Sequence, residues 1–196
     1  MSAAAFLDRV FRTSPSARGS FHFDAWRHDG RPTREGVGVL PVPSVPVEKM
    51  AARIMDVGSY KGNIDYVVES RIVDGPENVP PGVVRFYQRI QIPMLSAIQM
   101  ELVLTDFGDR DGWRVLAWSQ HDGTDALNPK KGARSQYNVG AWLLRPDAVG
   151  YALSSAPRKS DVGRLKFAAL TKGADAGATK VVRNNIEGML RWARRS

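Results

Sequence analysis

Ala174-Asp-Ala-Gly-Ala-Thr-Lys-Val-Val-Arg-Asn-Asn-Ile-Glu-Gly-Met-Leu-Arg-Trp-Ala-Arg-Arg195 is the stretch on which the reading of the whole chain turns. Ala178, Val182, Ile186, Met189, Leu190 and Ala193 recur at three- and four-residue spacing. Lys180, Arg183, Glu187, Arg191 and Arg194 fall mostly on the other side, so the spacing predicts an amphipathic helix. At 1.5 Å per residue it reaches about 33 Å, enough to cross a whole sheet diagonally. Just before it, Asp161 is placed to cap a shorter helix running to Leu170, which Gly173 is expected to break.

Upstream of this end the period changes to two. Ile64, Tyr66, Val68, Ser70 and Ile72 alternate with Asp65, Glu69 and Arg71, the pattern of a half-buried strand. Further strands are predicted over residues 83–91, 98–107, 113–120, 134–144 and 149–155. The short links at 93–97 and 108–112 make antiparallel neighbours of the strands they join. Nearer the start, residues 36–41 read as a strand and 48–55 as a helix, with Pro46 suited to its first turn and Gly58 closing it. The order is strand, one or two short helices, six strands, long helix. Such a meander needs a cover for its apolar face, and the last helix is the one element long enough to provide it.

Composition narrows the function classes. The chain has 196 residues, of which 43% are hydrophobic, and no cysteine. That excludes a disulfide framework, Cys-ligated zinc, iron–sulfur clusters and a thiol nucleophile. The net charge of +8 is concentrated at one end: residues 157–196 hold ten Lys and Arg against three acids, a net +7. Clustered cations of this kind suit phosphates, anionic lipid surfaces or acidic proteins. No apolar run approaches the roughly 20 residues that span a bilayer. The first residues, with Asp8 following a short apolar stretch, do not read as a signal peptide, so export is expected only if a leader was trimmed. The expectation is a cytoplasmic protein or one peripheral to a membrane. Residues 1–35 read as an N-terminal extension that packs weakly on a main domain at 36–196.

Motifs for common chemistries are missing. There is no Gly-x-Ser-x-Gly elbow, P-loop or dinucleotide fingerprint, and Gly36-Val-Gly38 is too short to be one. His121-Asp122-Gly-Thr-Asp125 is the one place where histidine and carboxylates cluster. A metal site or a general base with an orienting acid is conceivable there, but Gly, Thr and Asp are ordinary turn residues, so a solvated loop is the favoured reading. His22 and His28 read as surface residues. Trp113, Trp118 and Trp142 lie in strands, whereas the basic residues are concentrated in the helical end, so no nucleic-acid partner is expected. No cofactor or metal is expected either.

Three strings are familiar together. Arg85-Phe-Tyr-Gln-Arg-Ile-Gln-Ile-Pro93-Met-Leu-Ser96 is similar to the START-family strand ending in a Pro-x-x-Ser turn. Gly140-Ala-Trp-Leu-Leu-Arg-Pro146 and Asp161-Val-Gly163-Arg-Leu-Lys166 resemble that family's last strands and the start of its terminal helix. The chain departs at Ala97-Ile98-Gln99, where START domains commonly carry Arg-Asp. Over about residues 36–195 it resembles the START and polyketide-cyclase-like (SRPBCC) superfamily. The resemblance implies an α+β helix-grip fold, a curved antiparallel sheet wrapped around a long C-terminal helix, with a hydrophobic cavity between them.

The alternation supplies candidates for the cavity lining: Tyr66, Val68, Ser70, Phe86, Gln88, Met100, Leu102, Trp118, Asn138 and Trp142 from strands, and Val182, Ile186 and Met189 from the helix. For residues 134–144 the inward parity is open, because a slip of one residue exchanges Asn138 and Trp142 for Val139 and Leu143. The resemblance implies binding of a lipid-like or other hydrophobic small molecule, and catalysis in some members; the leading expectation here is a non-enzymatic binding or transfer protein. Contact of its basic end with an anionic membrane is a further expectation. The alternatives are a cyclase/aromatase or hydrolase acting on a hydrophobic substrate in the same cavity, with His121 as a helper, and an interaction module whose cavity is filled by side chains.

Overall fold

Alternation between residues 35 and 157 is realised as seven of the eight strands of one sheet. The structure, a computed structural model, describes residues 2–17, 19–91, 97–123 and 126–195. Helix α1 (Ala3–Arg12) and strand β1 (His22–Trp26) precede β2 (Glu35–Pro41), α2 (Val47–Met55) and a single 3-10 turn (Val57–Ser59). Then come β3 (Val67–Ile72), β4 (Val83–Ile90), β5 (Ile98–Arg110), β6 (Trp113–Gln120), β7 (Ala133–Arg145) and β8 (Ala148–Pro157). The short α3 (Lys159–Val162) and the long α4 (Arg164–Arg194) end the chain. The spatial order is β1-β2-β8-β7-β6-β5-β4-β3, with every neighbouring pair antiparallel; β5 and β7 also touch in parallel at Ile98 and Gln99. The expected α+β helix-grip architecture is therefore present.

Strands β2, β6, β7 and β8 send alternate side chains to two apolar layers, whereas β4 and β5 contribute to the inner one. On the inner, concave side Phe86, Met100, Leu102, Leu116, Trp118, Trp142 and Tyr151 pack with Met50 and Ile54 of α2 and with Val182, Ile186 and Met189 of α4. On the outer side Val37, Val39, Val115, Val139, Ala141 and Leu143 pack with Phe6, Leu7 and Val10 of α1. The open parity of β7 is thereby resolved: Trp142 faces inward, and Val139 and Leu143 face outward.

Four expectations change. First, the strand expected from Ile64 begins at Val67. Residues 60–66 form bonded turns, with Tyr66 at φ 65°. A bulge then makes Val68 an extra residue between Val67, paired with Ile90, and Glu69, paired with Arg89. Second, Gly173 does not break the terminal helix. α4 is continuous over 31 residues, about 46 Å at 1.5 Å per residue. A helical glycine costs about 1 kcal/mol relative to alanine, and Ala168, Ala169, Ala174, Ala176 and Ala178 around it are the best helix formers. The chain breaks instead at Gly163, whose φ of 77° separates α3 from α4.

Third, Asp161 caps nothing. It lies within α3, where Oδ2 accepts from the Arg134 backbone N–H (2.9 Å) and Nε (2.7 Å), and Oδ1 accepts from Arg134 Nη2 (2.8 Å), tying α3 to β7. Fourth, residues 1–35 do not pack weakly. Phe6 and Val10 are fully buried, and β1 adds an edge strand to β2. The Arg9 guanidinium holds the buried Glu35 carboxylate through two bonds (2.7 and 2.8 Å), and Trp26 Nε1 donates to the same carboxylate (2.9 Å).

One close approach seats α4. A Cβ on Gly38 would lie 2.5 Å from Val182 Cγ1 and 2.9 Å from the Phe21 ring, so only glycine lets the helix come this near to β2. This is the local role of the Gly36-Val-Gly38 string. Gly38→Ala is expected to destabilise the fold by about 1–3 kcal/mol through overpacking. Gly173→Ala, at a helical site with nothing within 4 Å, is expected to stabilise it by up to about 1 kcal/mol. Denaturant unfolding of both variants checks the pair.

The Arg134 bonds hold the Asp161 carboxyl well below the usual carboxylate range. A depressed folded pKa contributes stability that is present above the unfolded value, about 3.9, and is lost as the pH falls from there toward the folded one. Asp161→Asn is expected to lower the melting temperature at pH 7, and the gap to the wild type to close as the pH drops below about 4. Melting curves across that range test it.

Candidate functional site

The inner face of the sheet, gripped by α4, is the candidate binding surface. Of the residues singled out from sequence, Phe86, Met100, Leu102, Trp118, Trp142, Val182, Ile186 and Met189 meet in one buried cluster. Gln88 and Asn138 share that face and are half-buried. The Asn138 amide accepts from Trp118 Nε1 (2.6 Å) and directs its NH2 at Met100 Sδ (3.1 Å), so its orientation is fixed by two inner-face neighbours. Ser70 is half-buried and donates to Val57 O (2.7 Å). Val68, the bulge residue, lies outside the cluster, and Tyr66 is 49% exposed in its turn. The structure thus does not bring Tyr66 to the inner face.

Strand β8 supplies residues that the sequence reading passed over. Val149 and Tyr151 are buried in the cluster, and Leu153 packs against it. The Tyr151 ring lies 4.5 Å from that of Trp142 and 5.6 Å from that of Trp118, giving an aromatic wall of three side chains. Burial pushes the Tyr151 hydroxyl above the ordinary tyrosine range, so it stays a neutral donor. Tyr60, after the 3-10 turn, sits edge-on to Phe86 and Trp192, and its hydroxyl donates to Ile54 O. The signal for β8 was present: Val149, Tyr151 and Leu153 alternate with the small residues Gly150 and Ala152.

The two ends of this face differ. Where α2 packs, Leu104, Leu116, Leu144 and Val149 are at most 1% exposed. At the opposite end, where β8 leads toward α3, Gln88, Ile90, Gln120, Asn138, Leu153 and Ser155 are half-buried. α4 follows the same division. Its buried residues begin at Val182; the half before that is half-buried or exposed, with Leu165 88% exposed, and Asp175 Oδ1 there accepts from the Arg34 backbone N–H (2.9 Å). Gln120 spends its NH2 on carbonyl groups of β7, and its Oε1 is buried without a partner among the described residues. A buried acceptor left so costs about 1–3 kcal/mol.

His121 belongs to the other face. Its Nδ1 lies 3.2 Å from Glu101 Oε1 and accepts from the Gly123 backbone N–H (2.8 Å). Glu101, fully buried, also takes the Arg85 guanidinium, which reaches Asp74 at 3.0 Å. Thr124 and Asp125 of the His-Asp-Gly-Thr-Asp string lie outside the described residues, as do Pro93 and Ser96. Among the described residues no group of three or more His, Asp or Glu is arranged to hold a metal, and no helix is long and apolar enough to cross a membrane. Two shallow concavities open to solvent, each of about 470 Å³, lie away from the inner face at the basic end where α2 meets α4.

No protein-family model and no curated protein matches the sequence. Solved structures do. A STAR-related lipid transfer protein (fragment 25–204) from Xanthomonas axonopodis superposes with a TM-score of 0.72 at 14% identity, covering 92% of this chain and 97% of that one. Human STARD10 gives 0.70 at 13% identity over 94% and 78%. The Zhui aromatase/cyclase from Streptomyces sp. R1128 gives 0.56 at 12% identity over 89% and 95%. At such identities the likeness is one of fold. This chain has the START-like helix-grip fold that lipid-transfer proteins share with aromatase/cyclases.

Proposed function

We propose that the protein binds, and passes on, a hydrophobic, lipid-like molecule held between the inner face of the sheet and α4. One observation carries the reading: an apolar and aromatic face ends in half-buried polar groups, Gln88, Asn138 and Gln120, and Gln120 Oε1 has no donor among the described residues. That is the chemistry of a pocket that takes an apolar body and orients one polar end. At about 25 cal/mol per Å², burying some 300 Å² of a ligand gains roughly 7 kcal/mol before the costs of binding. The names of the lipid-transfer neighbours support the same reading. Residues 36–196 would form the binding unit, with residues 1–35 bracing its outer face. The exposed first half of α4, with Leu165 among Lys166, Lys172 and Lys180, would rest on an anionic membrane during exchange.

A second reading has its own observation. The inner cluster is closely packed, and the two shallow concavities lie outside it, as expected of an interaction module with a filled core. A cyclase role, which the name of the Streptomyces neighbour brings to mind, would have to use Tyr60, Tyr151, Gln88 or Asn138, because His121 faces the other way.

Mass spectrometry of an organic extract from purified protein separates the readings. A defined hydrophobic species at near-stoichiometric amount is expected from the wild type. It should be depleted at least about tenfold in Leu153→Trp, which fills the half-open end, with folding checked by melting; tenfold corresponds to about 1.4 kcal/mol. Empty extracts, together with no uptake of a fluorescent fatty acid, would favour the filled-core module.

A further inference from the structure

Part of the positive charge in this molecule is neutralised locally. Nine arginines each lie within 4.0 Å of a carboxylate among the described residues. Arg53, Arg191, Arg194 and Arg195 make no such pair among the described residues, yet they gather with Lys49 where α2 meets the end of α4. Two adjoining concavities hold them. Arg191, Arg194 and Arg195 line one; Lys49, Ala52, Arg53, Asp56 and Arg195 line the other, so Arg195 belongs to both. A single carboxylate, Asp56, stands among five cations.

The groups are held in place without being used up. Arg53 lies 5.4 Å from the centroid of the Trp192 ring. Arg194 Nη2 donates to Ser44 O (3.0 Å), and Arg195 Nη2 donates to Asn63 Oδ1 (3.0 Å). A guanidinium has five N–H donors, so each keeps others free. The helix dipole accounts for Arg191 and Arg194 in the last turn of α4. It does not account for Lys49 in the first turn of α2, where a positive charge opposes the dipole.

We infer that this double groove is an anion site for a phosphate monoester. A carboxylate offers two oxygens and one charge. A phosphate monoester offers three acceptor oxygens and a charge near −1.5 to −2, which matches several guanidinium forks and an amine drawn from two helices. The source is either a lipid headgroup or a soluble phosphomonoester. The site stands independently of what the inner face binds.

Calorimetric titration of the full chain with inorganic phosphate tests it. Saturable one-to-one binding is expected. It should weaken about tenfold in Lys49→Gln and in Arg195→Gln, as loss of a charge-assisted bond predicts. Lys166→Gln and Lys172→Gln remove the same charge from the free half of α4 and should leave binding unchanged. Flotation with phosphatidylcholine vesicles carrying phosphatidic acid or, at matched surface charge, phosphatidylglycerol then identifies the source. Preference for phosphatidic acid assigns a headgroup, and equal retention alongside saturable phosphate binding assigns a soluble monoester; both support the site. Absence of saturable phosphate binding, or equal weakening in all four variants, would overturn it.

Discussion

The contact between Val182 and the backbone of Gly38 governs this structure. A helix can lie on a sheet only as closely as the side chains between them allow, and at Gly38 there is none. From that point Val182, Ile186, Met189 and Leu190 descend onto the inner face, and α2 closes over the same end. Before that point α4 has no fully buried residue and is tied to the chain leading into β2 through Asp175, which accepts from the Arg34 backbone N–H. The division of the inner face into a sealed end and a half-open end therefore follows from where one glycine meets one valine.

Function follows from the same division. The sealed end is core, and changes there act on stability. The half-open end combines apolar surface with amide groups, and the Gln120 acceptor is unpaired. An unpaired acceptor beside apolar surface is better explained by a ligand that donates to it than by packing. The outer face also holds an unpaired acceptor, Glu101 Oε2, but there it stands beside the Arg85 and His121 that engage Oε1 and not beside apolar surface, while near α1 Glu35 is bonded by Arg9 and Trp26. Charge is unevenly placed as well: Arg85 and Glu101 pair on the outer face, whereas five cations gather with one carboxylate where α2 meets the end of α4.

Much of this was legible in the sequence, and the misses have physical causes. The period-two runs and the amphipathic end were enough for the sheet, the helix and eight members of the inner cluster. The parity of β7 was not legible, because Val139-Gly-Ala-Trp-Leu-Leu144 is apolar on both sides. The structure supplies the reason, α1 covering the outer face. Tyr66 was misplaced because a turn and a bulge, not strict alternation, start β3. Gly173 looked like a stop because glycine is a poor helix former on average, but its alanine-rich surroundings carry the helix through. His121 looked chemical by composition, and only the fold shows that its partner Glu101 is on the outer face. Tyr151 was overlooked although its strand alternates cleanly.

The central claim is that an apolar ligand sits on the inner face beneath α4. The tryptophans allow it to be read directly, since Trp118 and Trp142 lie in the inner cluster and Trp26 and Trp113 with the outer one. Titration with a brominated fatty acid, a short-range fluorescence quencher, can be carried out on two variants, one retaining only Trp118 and Trp142 and the other only Trp26 and Trp113. Saturable quenching of the inner pair with the outer pair unaffected is the result the account predicts. Quenching of the outer pair, or of neither, would contradict it.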